Sequence, residues 1–281
     1  LNGKTRFIFP FNNPKKESEK AYEEIKLGLK ELEHNTLLFL KNLNSINWHT
    51  SEEQHCQIKR IQHSEQLIEI LKQETTTTSS EYFLRFTESI NGLPNQQVAI
   101  AFLLSPRENI VAITNTTILN IQFKISLAMP SVVAVFFPAK KETSGLHFHL
   151  HAPFIPELSR ASIKDTPANR GLYALLAKLC GDSLPKIREM GLLDASFLEV
   201  LPNMNDEIPP AYSNIRSEII NAFNTQKITP TFNKTYDTAN SLLQAESDLK
   251  NLLTTKDLKR MIPNGLINKP NWVINTMRNS R

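Results

Sequence analysis

The chain has 281 residues, of which 40% are hydrophobic and 21% charged, and its formal net charge is +4. This length suggests about two domains, and the composition excludes a disordered chain because enough apolar surface is present to bury a core. The longest apolar runs fall far short of the roughly 20 residues that a membrane-spanning helix needs, and the dispersed positive charge is too mild to indicate nucleic-acid binding by itself.

The first 43 residues predict a strand, a helix and a second extended segment. Thr5–Phe9 alternate in polarity, which is typical of a strand. Asn13 and Pro14 suit the N-cap and the first helical position, and apolar residues then recur at helical spacing from Lys15 to about Glu33. Thr36–Leu43 are apolar and compatible with a strand.

Between Gln54 and Ile113 the sequence predicts an antiparallel meander, because short apolar stretches are separated by turn-like segments. Its predicted strands are Cys56–Ile58, Leu67–Leu71, Tyr82–Phe86 and Val98–Leu104. Two more strands are predicted further along, over Val132–Phe137 and Leu146–His151. The run Thr75–Ser80 is of low complexity, and we predict that it forms a mobile hairpin tip.

After Pro153 the pattern becomes helical. Thr166 and Pro167 are expected to open a helix that closes at Gly181, and a short helix over Leu184–Met190 is expected to end at Gly191. Further along, the sequence predicts a helix opened by Pro209-Pro210, a strand over Ile228–Phe232, and helices over Leu242–Leu253 and Asp257–Met261.

These elements together predict an α+β fold with a mostly antiparallel sheet and with helices concentrated in the C-terminal half. We expect residues 1–50 to be the last strand of a preceding domain plus a connecting helix, 51–240 an α+β domain, and 241–281 a helical extension.

The two cysteines, Cys56 and Cys180, lie far apart and lack metal-ligand spacing. We therefore expect free thiols in a reducing cytoplasm, with Cys180 a small core residue beside a stripe of leucines. Trp48 and Trp272 are assigned to core or interface packing.

Arg160 follows a predicted strand and precedes a predicted helix. A loop arginine in this place can reach out of the domain toward an anion, since its guanidinium is always charged and holds two oxygens at once. The alternative is an arginine paired with a nearby acid, Glu157 or Asp165. The spacing alone leaves both interpretations open.

Three segments resemble one family of proteins. Residues 3–10, Gly-Lys-Thr-Arg-Phe-Ile-Phe-Pro, resemble the closing strand of a GHKL-type ATPase domain, in the branch of the heat-shock-protein 90 chaperones and the sacsin-like bacterial ATP-binding proteins. Residues 145–154 are similar to a strand of the sacsin-like proteins, and Ser159-Arg160 with Ile163 and Asn169 is similar to their arginine-containing loop. Lys4 after Gly3, and Ala161-Ser162 after Arg160, depart from the family pattern.

The resemblance implies that this chain is the middle, or transducer, region of a chaperone-like cytoplasmic ATPase. ATP and Mg²⁺ are then expected in the full-length protein, held by an N-terminal ATPase domain that is its partner, with none bound by this chain alone. Arg160 is implied to contact the γ-phosphate and so to act as its catalytic residue, while Lys164, Asn169 and Arg170 are candidate cofactor-binding residues. A protein client and a homodimer are further possible partners. Only 8 glycines are present and none forms a phosphate-binding loop, so we expect a piece of a longer chain.

Two of these candidates also have an interpretation without a phosphate. Asn169 is expected to order the loop or the first helical turn through side-chain to backbone bonds, and Arg170 to be solvated on the helix surface. His147, His149 and His151 point from one face of a strand, which suggests either a zinc site or, without further ligands, an exposed or half-buried sheet face.

Two functions of other classes remain as alternatives. A non-catalytic protein-binding module would use the sheet face around His147–His151 or the Leu67–Leu71 strand, with Arg160 structural. A nucleic-acid-associated ATPase subunit would use basic residues such as Lys140 and Lys141, although these lack interleaved aromatic residues and are typical of solvated charge.

Overall fold

The structure is a computed structural model of the chain and describes residues 7–8, 10–50, 54–107, 119–262 and 271–274. Within these ranges the chain forms an α+β fold around one large, mostly antiparallel sheet. Its strands are β1 Ser45–His49, β2 His55–Gln62, β3 Leu67–Glu74, β4 Thr78–Ser89, β5 Gln97–Pro106, β6 Phe123–Ser126, β7 Val133–Val135, β8 Phe137–Pro138 and β9 His149–His151. The described helices are α1 Ser18–Lys30, α2 Leu119–Gln122, α3 Pro167–Glu189, α4 Ala195–Val200, α5 Ser213–Thr225, α6 Ser247–Leu252 and α7 Thr255–Met261.

The strands follow one another across the sheet in the order β1-β2-β3-β4-β5-β9-β7-β8, and β6 also pairs with β5. Every pairing in this sheet is antiparallel except that between β7 and β9. The predicted hairpin at Thr75–Ser80 is confirmed, because the chain turns between Glu74 and Thr78 to join β3 to β4. Among the described residues, three short segments are 3₁₀ helices: His34–Leu37, Pro210–Tyr212 and Ala239–Ser241. Two small two-stranded sheets are also described: β10 Thr229–Pro230 with β11 Tyr236–Asp237, and β12 Leu242–Leu243 with β13 Asn271–Trp272.

Both faces of the sheet are buried. Strand β5 shows this most clearly, because its residues alternate between the two faces and both sets are covered. Val98, Ile100 and Phe102 pack toward the helices α3, α4 and α5, whereas Ala99 and Ala101 pack toward the segment that follows α1. The core therefore has two apolar layers, one on each side of the strands.

The second layer depends on a segment that the sequence suggested as a strand. Residues 36–43 are instead a 3₁₀ turn and irregular chain, in which Leu37, Leu38 and Phe39 are buried on the sheet. Three consecutive apolar residues are all covered here, which an alternating strand with one solvated face does not allow. The backbone carbonyls of the segment are bonded by two arginines: Arg60 to Leu37, Leu40 and Lys41, and Arg85 to Leu38.

The predicted helix end at Gly181 is wrong. Helix α3 is capped by Thr166 as expected but continues through Gly181 and Pro185 to Glu189. A Cβ atom at Gly181 would lie 3.5 Å from the backbone oxygen of Glu218 in α5, an ordinary contact distance, so Gly181 lies where α3 packs against α5 and does not end the helix. The predicted stop at Gly191 is confirmed, since the residue is left-handed, with φ +71°.

Other boundaries shift. The strand predicted over Leu146–His151 is confined to β9, and the helix predicted over Leu242–Leu253 begins only at α6. The strand predicted over Thr5–Phe9 lies largely outside the described residues; Phe7 and Ile8, which are described, are exposed and not in a strand. In the described part of the chain, no helix combines the length and the apolar character needed to cross a membrane.

Candidate functional site

The Arg160 loop, defined as residues 155–163, projects from the sheet between β9 and α3. Its two arms pair like a narrow hairpin. The N–H of Glu157 donates to the carbonyl of Ser162 at 2.9 Å, and the N–H of Lys164 donates to the carbonyl of Ile155 at 3.1 Å. The tip is closed by a bond from the N–H of Arg160 to the carbonyl of Glu157 at 2.8 Å.

Arg160 has a left-handed backbone, with φ +57°. This conformation is uncommon for a residue with a side chain and costs on the order of 1 to 3 kcal/mol, so the surrounding bonds must hold it. The turn leaves the side chains of Leu158 and Arg160 exposed. An arginine and a leucine thus project into solvent at the tip of a defined loop.

The guanidinium of Arg160 has no hydrogen-bond or ion-pair partner among the described residues. Neither acid named by the sequence pairs with it. Glu157 contributes its backbone carbonyl to the turn, and Asp165 pairs with Arg170 at 3.3 Å. Within the described chain Arg160 is therefore a free cation, as an anion-binding role requires.

Asn169 braces the base of the loop from α3. It is fully buried, and its amide nitrogen donates to the carbonyls of Ile155 at 3.0 Å and Lys164 at 2.6 Å. Its amide oxygen accepts from the N–H of Ile155 at 2.9 Å. These bonds order the base of the loop, which is the role expected for Asn169 from side-chain to backbone bonds. They keep the Asn169 side chain inside the protein.

Glu142 braces the other arm. One oxygen of its carboxylate accepts from the N–H of Ile163 at 3.0 Å, and the other accepts from the hydroxyl of Tyr212 at 2.9 Å. The neighbouring N–H of Lys141 donates to the carbonyl of Ala161 at 2.8 Å. The loop is therefore tied to the segment after β8 and, through Tyr212, to the start of α5.

Burial raises the pKa of Tyr212, and the neighbouring Tyr173 and Glu142 raise it further. The two tyrosine rings meet edge to face, with centroids 5.0 Å apart. The Tyr212 hydroxyl therefore keeps its proton at neutral pH and remains a donor to Glu142.

The sequence pointed to neither Glu142 nor the pairing of Tyr212 with it. Tyr212 is buried, at the start of α5. Its carboxylate partner lies 70 residues earlier in the chain. A contact of such separation leaves no local pattern, and only the fold brings the two residues together.

Lys164 and Arg170, the remaining candidates, are both exposed near the base of the loop. Lys164 is bonded through its backbone alone among the described contacts, while the Arg170 guanidinium is occupied by Asp165. All three basic residues are exposed, Arg160 at the tip of the loop, Lys164 at its base and Arg170 in the first turn of α3, while Asn169 is buried at the base.

The three histidines do not form an exposed or half-buried sheet face. His149 and His151 are 5% and 3% exposed, and burial lowers the pKa of each to about 4. His149 accepts the N–H of Val132 at 3.0 Å through Nδ1. His151 stacks on Phe39, with ring centroids 5.2 Å apart. The predicted exposure is wrong because residues 36–39 cover this face.

No set of three or more His, Cys, Asp or Glu residues in the described ranges is arranged to hold a metal ion. His147 is half-buried, and its Nε2 lies 3.9 Å from a carboxylate oxygen of Asp206, away from the buried pair. Cys56 and Cys180 are buried free thiols, as expected for core cysteines, and burial raises the pKa of both. Buried neutral thiols are poor nucleophiles and poor metal ligands.

No family model, curated protein or solved structure matches this chain. The likeness to the GHKL-type ATPases therefore depends on the residues named from the sequence and stays a prediction. The site presents a guanidinium that no described residue pairs with, on a braced loop, which suits binding of an anion that another molecule or domain holds.

Proposed function

We propose that this chain is the transducer region of a GHKL-type ATPase and that Arg160 contacts the γ-phosphate of ATP held by an N-terminal domain. The observation that carries the proposal is the Arg160 guanidinium, which is exposed and lacks a partner among the described residues although its loop is held by bonds on both arms. The motifs that resemble the family supply the identity of the anion.

The loop geometry suits this role. An arginine finger stabilises the charge that develops when the γ-phosphoryl group is transferred to water. It is most effective when its position is fixed in advance, because no reorganisation is then needed at the moment of reaction. The bonds from Asn169 and Glu142 fix the backbone of the loop that carries Arg160.

The same contact couples the nucleotide to movement. ATP favours an arrangement in which the two domains are docked only if it makes a contact that is absent from the undocked one. Arg160 on the γ-phosphate is that contact, and it is lost when the phosphate leaves. In this proposal the chain supplies the arginine and the moving body, and the N-terminal domain supplies the nucleotide and Mg²⁺ sites.

The test is ATP turnover in the natural polypeptide that contains this chain together with its N-terminal domain. We expect Arg160→Ala to lower turnover at least about 100-fold with little change in melting temperature, and Arg160→Lys to retain only part of the activity because a lysine cannot hold two oxygens. Arg170→Ala is the matched control, since this exposed arginine on the same junction is already paired with Asp165. Unchanged turnover in a folded Arg160→Ala protein contradicts the proposal.

A further inference from the structure

An exposed pair of phenylalanines forms the end of the main sheet opposite β1. Strands β7 and β8 are joined by Phe136 alone, since Val135 already pairs with Phe137. The backbone of Phe136 is left-handed, with φ +70°. Phe136 and Phe137 are 42% and 55% exposed.

This arrangement is unfavourable for the isolated chain. A bulky residue in the left-handed region is a true outlier, and such strain is usually kept at sites that have a function. Two adjacent exposed aromatic rings also leave apolar surface in water. The second cost is removed if another molecule covers the rings.

Two cavities meet at this hairpin. The first, of about 660 Å³, lies between the end of α1 with the 3₁₀ turn that follows it and residues 130–143, and Leu32, Val132 and Phe137 are among its walls. The second, of about 680 Å³, is lined by residues 40–43, Asn95, Gln96, Phe136 and Phe137. Phe137 belongs to both. Each cavity alone has the size of a small-molecule site, but two cavities that share one aromatic wall form a track suited to an extended chain.

The second cavity also has a defined charge. Its described lining contains one lysine, Lys41, and no carboxylate, whereas the first cavity is lined by Glu31, Glu33 and Glu142 as well as Lys140 and Lys141. The guanidinium of Arg60 bonds the carbonyl of Lys41 at 3.1 Å. Among the described lining residues the charge is therefore positive only at the Lys41 end, and that end favours a negatively charged group on whatever binds.

We propose that the Phe136–Phe137 surface, defined as these two residues with Leu40–Leu43 and Leu32, binds an extended apolar peptide segment of another protein that carries a carboxylate beside its apolar residues. The two aromatic rings are the anchors, as exposed aromatic residues commonly are in protein interfaces. Lys41 pairs with the carboxylate and sets the direction of the peptide. The site is separate from the Arg160 guanidinium and does not depend on the proposed ATPase function.

The surface also replaces the one that the sequence suggested. The strand face around His149 and His151 is buried, as are Leu67, Ile68 and Ile70 on β3. None of them is accessible to a client protein. Phe136 and Phe137 are exposed at the neighbouring end of the sheet, and from the sequence they were predicted only as the end of the strand Val132–Phe137.

The experiment uses a set of short fluorescein-labelled peptides in which Leu and Phe alternate with Asp in every register, and measures fluorescence anisotropy. We expect at least one peptide to bind with a Kd on the order of 10 to 100 µM. Phe137→Ser, or Leu43→Ser as a second variant, is expected to raise the Kd at least about tenfold. Lys41→Glu is expected to weaken the Asp peptides and to favour a matched set with Lys in place of Asp.

The control variant is Met204→Ser, because Met204 is an exposed apolar residue that lines neither cavity. Binding should be unchanged in this variant and also in Arg160→Ala. The proposal is overturned if no peptide binds up to about 1 mM, or if folded Phe137→Ser binds as tightly as the parent. It is equally overturned if light scattering shows that Phe137→Ser converts a dimer into a monomer, since the surface is then an interface between copies of this chain.

Discussion

The carboxylate of Glu142 connects the hydroxyl of Tyr212, at 2.9 Å, with the backbone N–H of Ile163, at 3.0 Å. Tyr212 is 1% exposed and belongs to the helical layer, whereas Ile163 closes the Arg160 loop. One side chain therefore transmits the position of the helices to the loop that presents Arg160. Four predictions about stability follow from the packing around this loop and sheet.

Tyr212→Phe should lower the free energy of unfolding by about 1 to 3 kcal/mol, because it removes a hydrogen bond to a carboxylate and leaves the oxygen without that donor. Urea denaturation at pH 7 measures this. Glu157→Ala is the control, since Glu157 is an exposed acid on the same loop and its removal should change stability by less than about 0.5 kcal/mol. Equal stabilities for Tyr212→Phe and the parent would show that the bond has no net value.

Asn169→Ala should lower the free energy of unfolding by more than the loss of a small side chain suggests. It removes the partner of two carbonyls and one N–H, and buried polar groups left unpaired cost roughly 1 to 3 kcal/mol each. Hydrogen exchange of the Ile155 amide should accelerate along with the loss of stability. Arg170→Ala, one residue further on, removes only an exposed ion pair and should leave both measurements nearly unchanged. Normal exchange at Ile155 in Asn169→Ala would contradict the bracing role.

Two glycine substitutions should have opposite signs. Gly145 has φ +67°, and a methyl group there would overlap the carbonyl oxygen of Glu207, so Gly145→Ala should strongly destabilise the protein. Gly171 lies in α3 with open space around it, so Gly171→Ala should raise the free energy of unfolding by about 0.5 to 1 kcal/mol. Thermal unfolding of the two variants side by side distinguishes them. A tolerated Gly145→Ala would mean that residues 206–208 shift easily.

Stability should fall with acid through His149 and His151. Burial lowers the pKa of both from 6.5 to about 4, so well above pH 6.5 the histidines are neutral in the folded and the unfolded states and do not affect stability through protonation. As the pH falls from 6.5 toward 4, the unfolded state takes up protons that the folded state excludes. Each histidine then lowers the free energy of unfolding by up to about 1.4 kcal/mol per pH unit.

Urea denaturation at several pH values between about 7.5 and 4.5 measures the slope. His149→Gln keeps an acceptor for the Val132 N–H and removes one titrating group, so this part of the slope should fall by about half. An unchanged slope in this variant would assign the acid sensitivity to other groups.

The sheet could be predicted from the sequence because its signals are local. Val98–Leu104, Tyr82–Phe86 and the Thr75–Ser80 turn each carry the alternation or turn residues of a meander, and the structure confirms them as β5, β4 and their neighbouring hairpin. The N-terminal cap of α3 at Thr166 and the end of the helix at Gly191 could also be predicted, since both depend on residues within one helical turn.

The remaining features depend on contacts between distant residues. Gly181 has the same local signature as a helix-ending glycine, yet α3 continues through it to Glu189 with Gly181 facing α5. The period-2 spacing of His149 and His151 is compatible with an exposed sheet face. The two side chains are buried because residues 36–39, which lie distant in the sequence, cover that face. In the candidate site, the position of Arg160 on a loop before a helix could be predicted, whereas the contact of Glu142 with Ile163 and Tyr212 could not.

The bonds from Arg60 and Arg85 to the carbonyls of residues 37–41 limit where the chain can be shortened without destabilising the sheet. A chain shortened to begin after β1 would lose Leu37–Phe39, which bury one face of the sheet, and the guanidinium groups of Arg60 and Arg85 would lose the carbonyls that they bond. A fragment made by proteolysis or by truncation of the gene should therefore fold independently only when its first residue precedes Thr36.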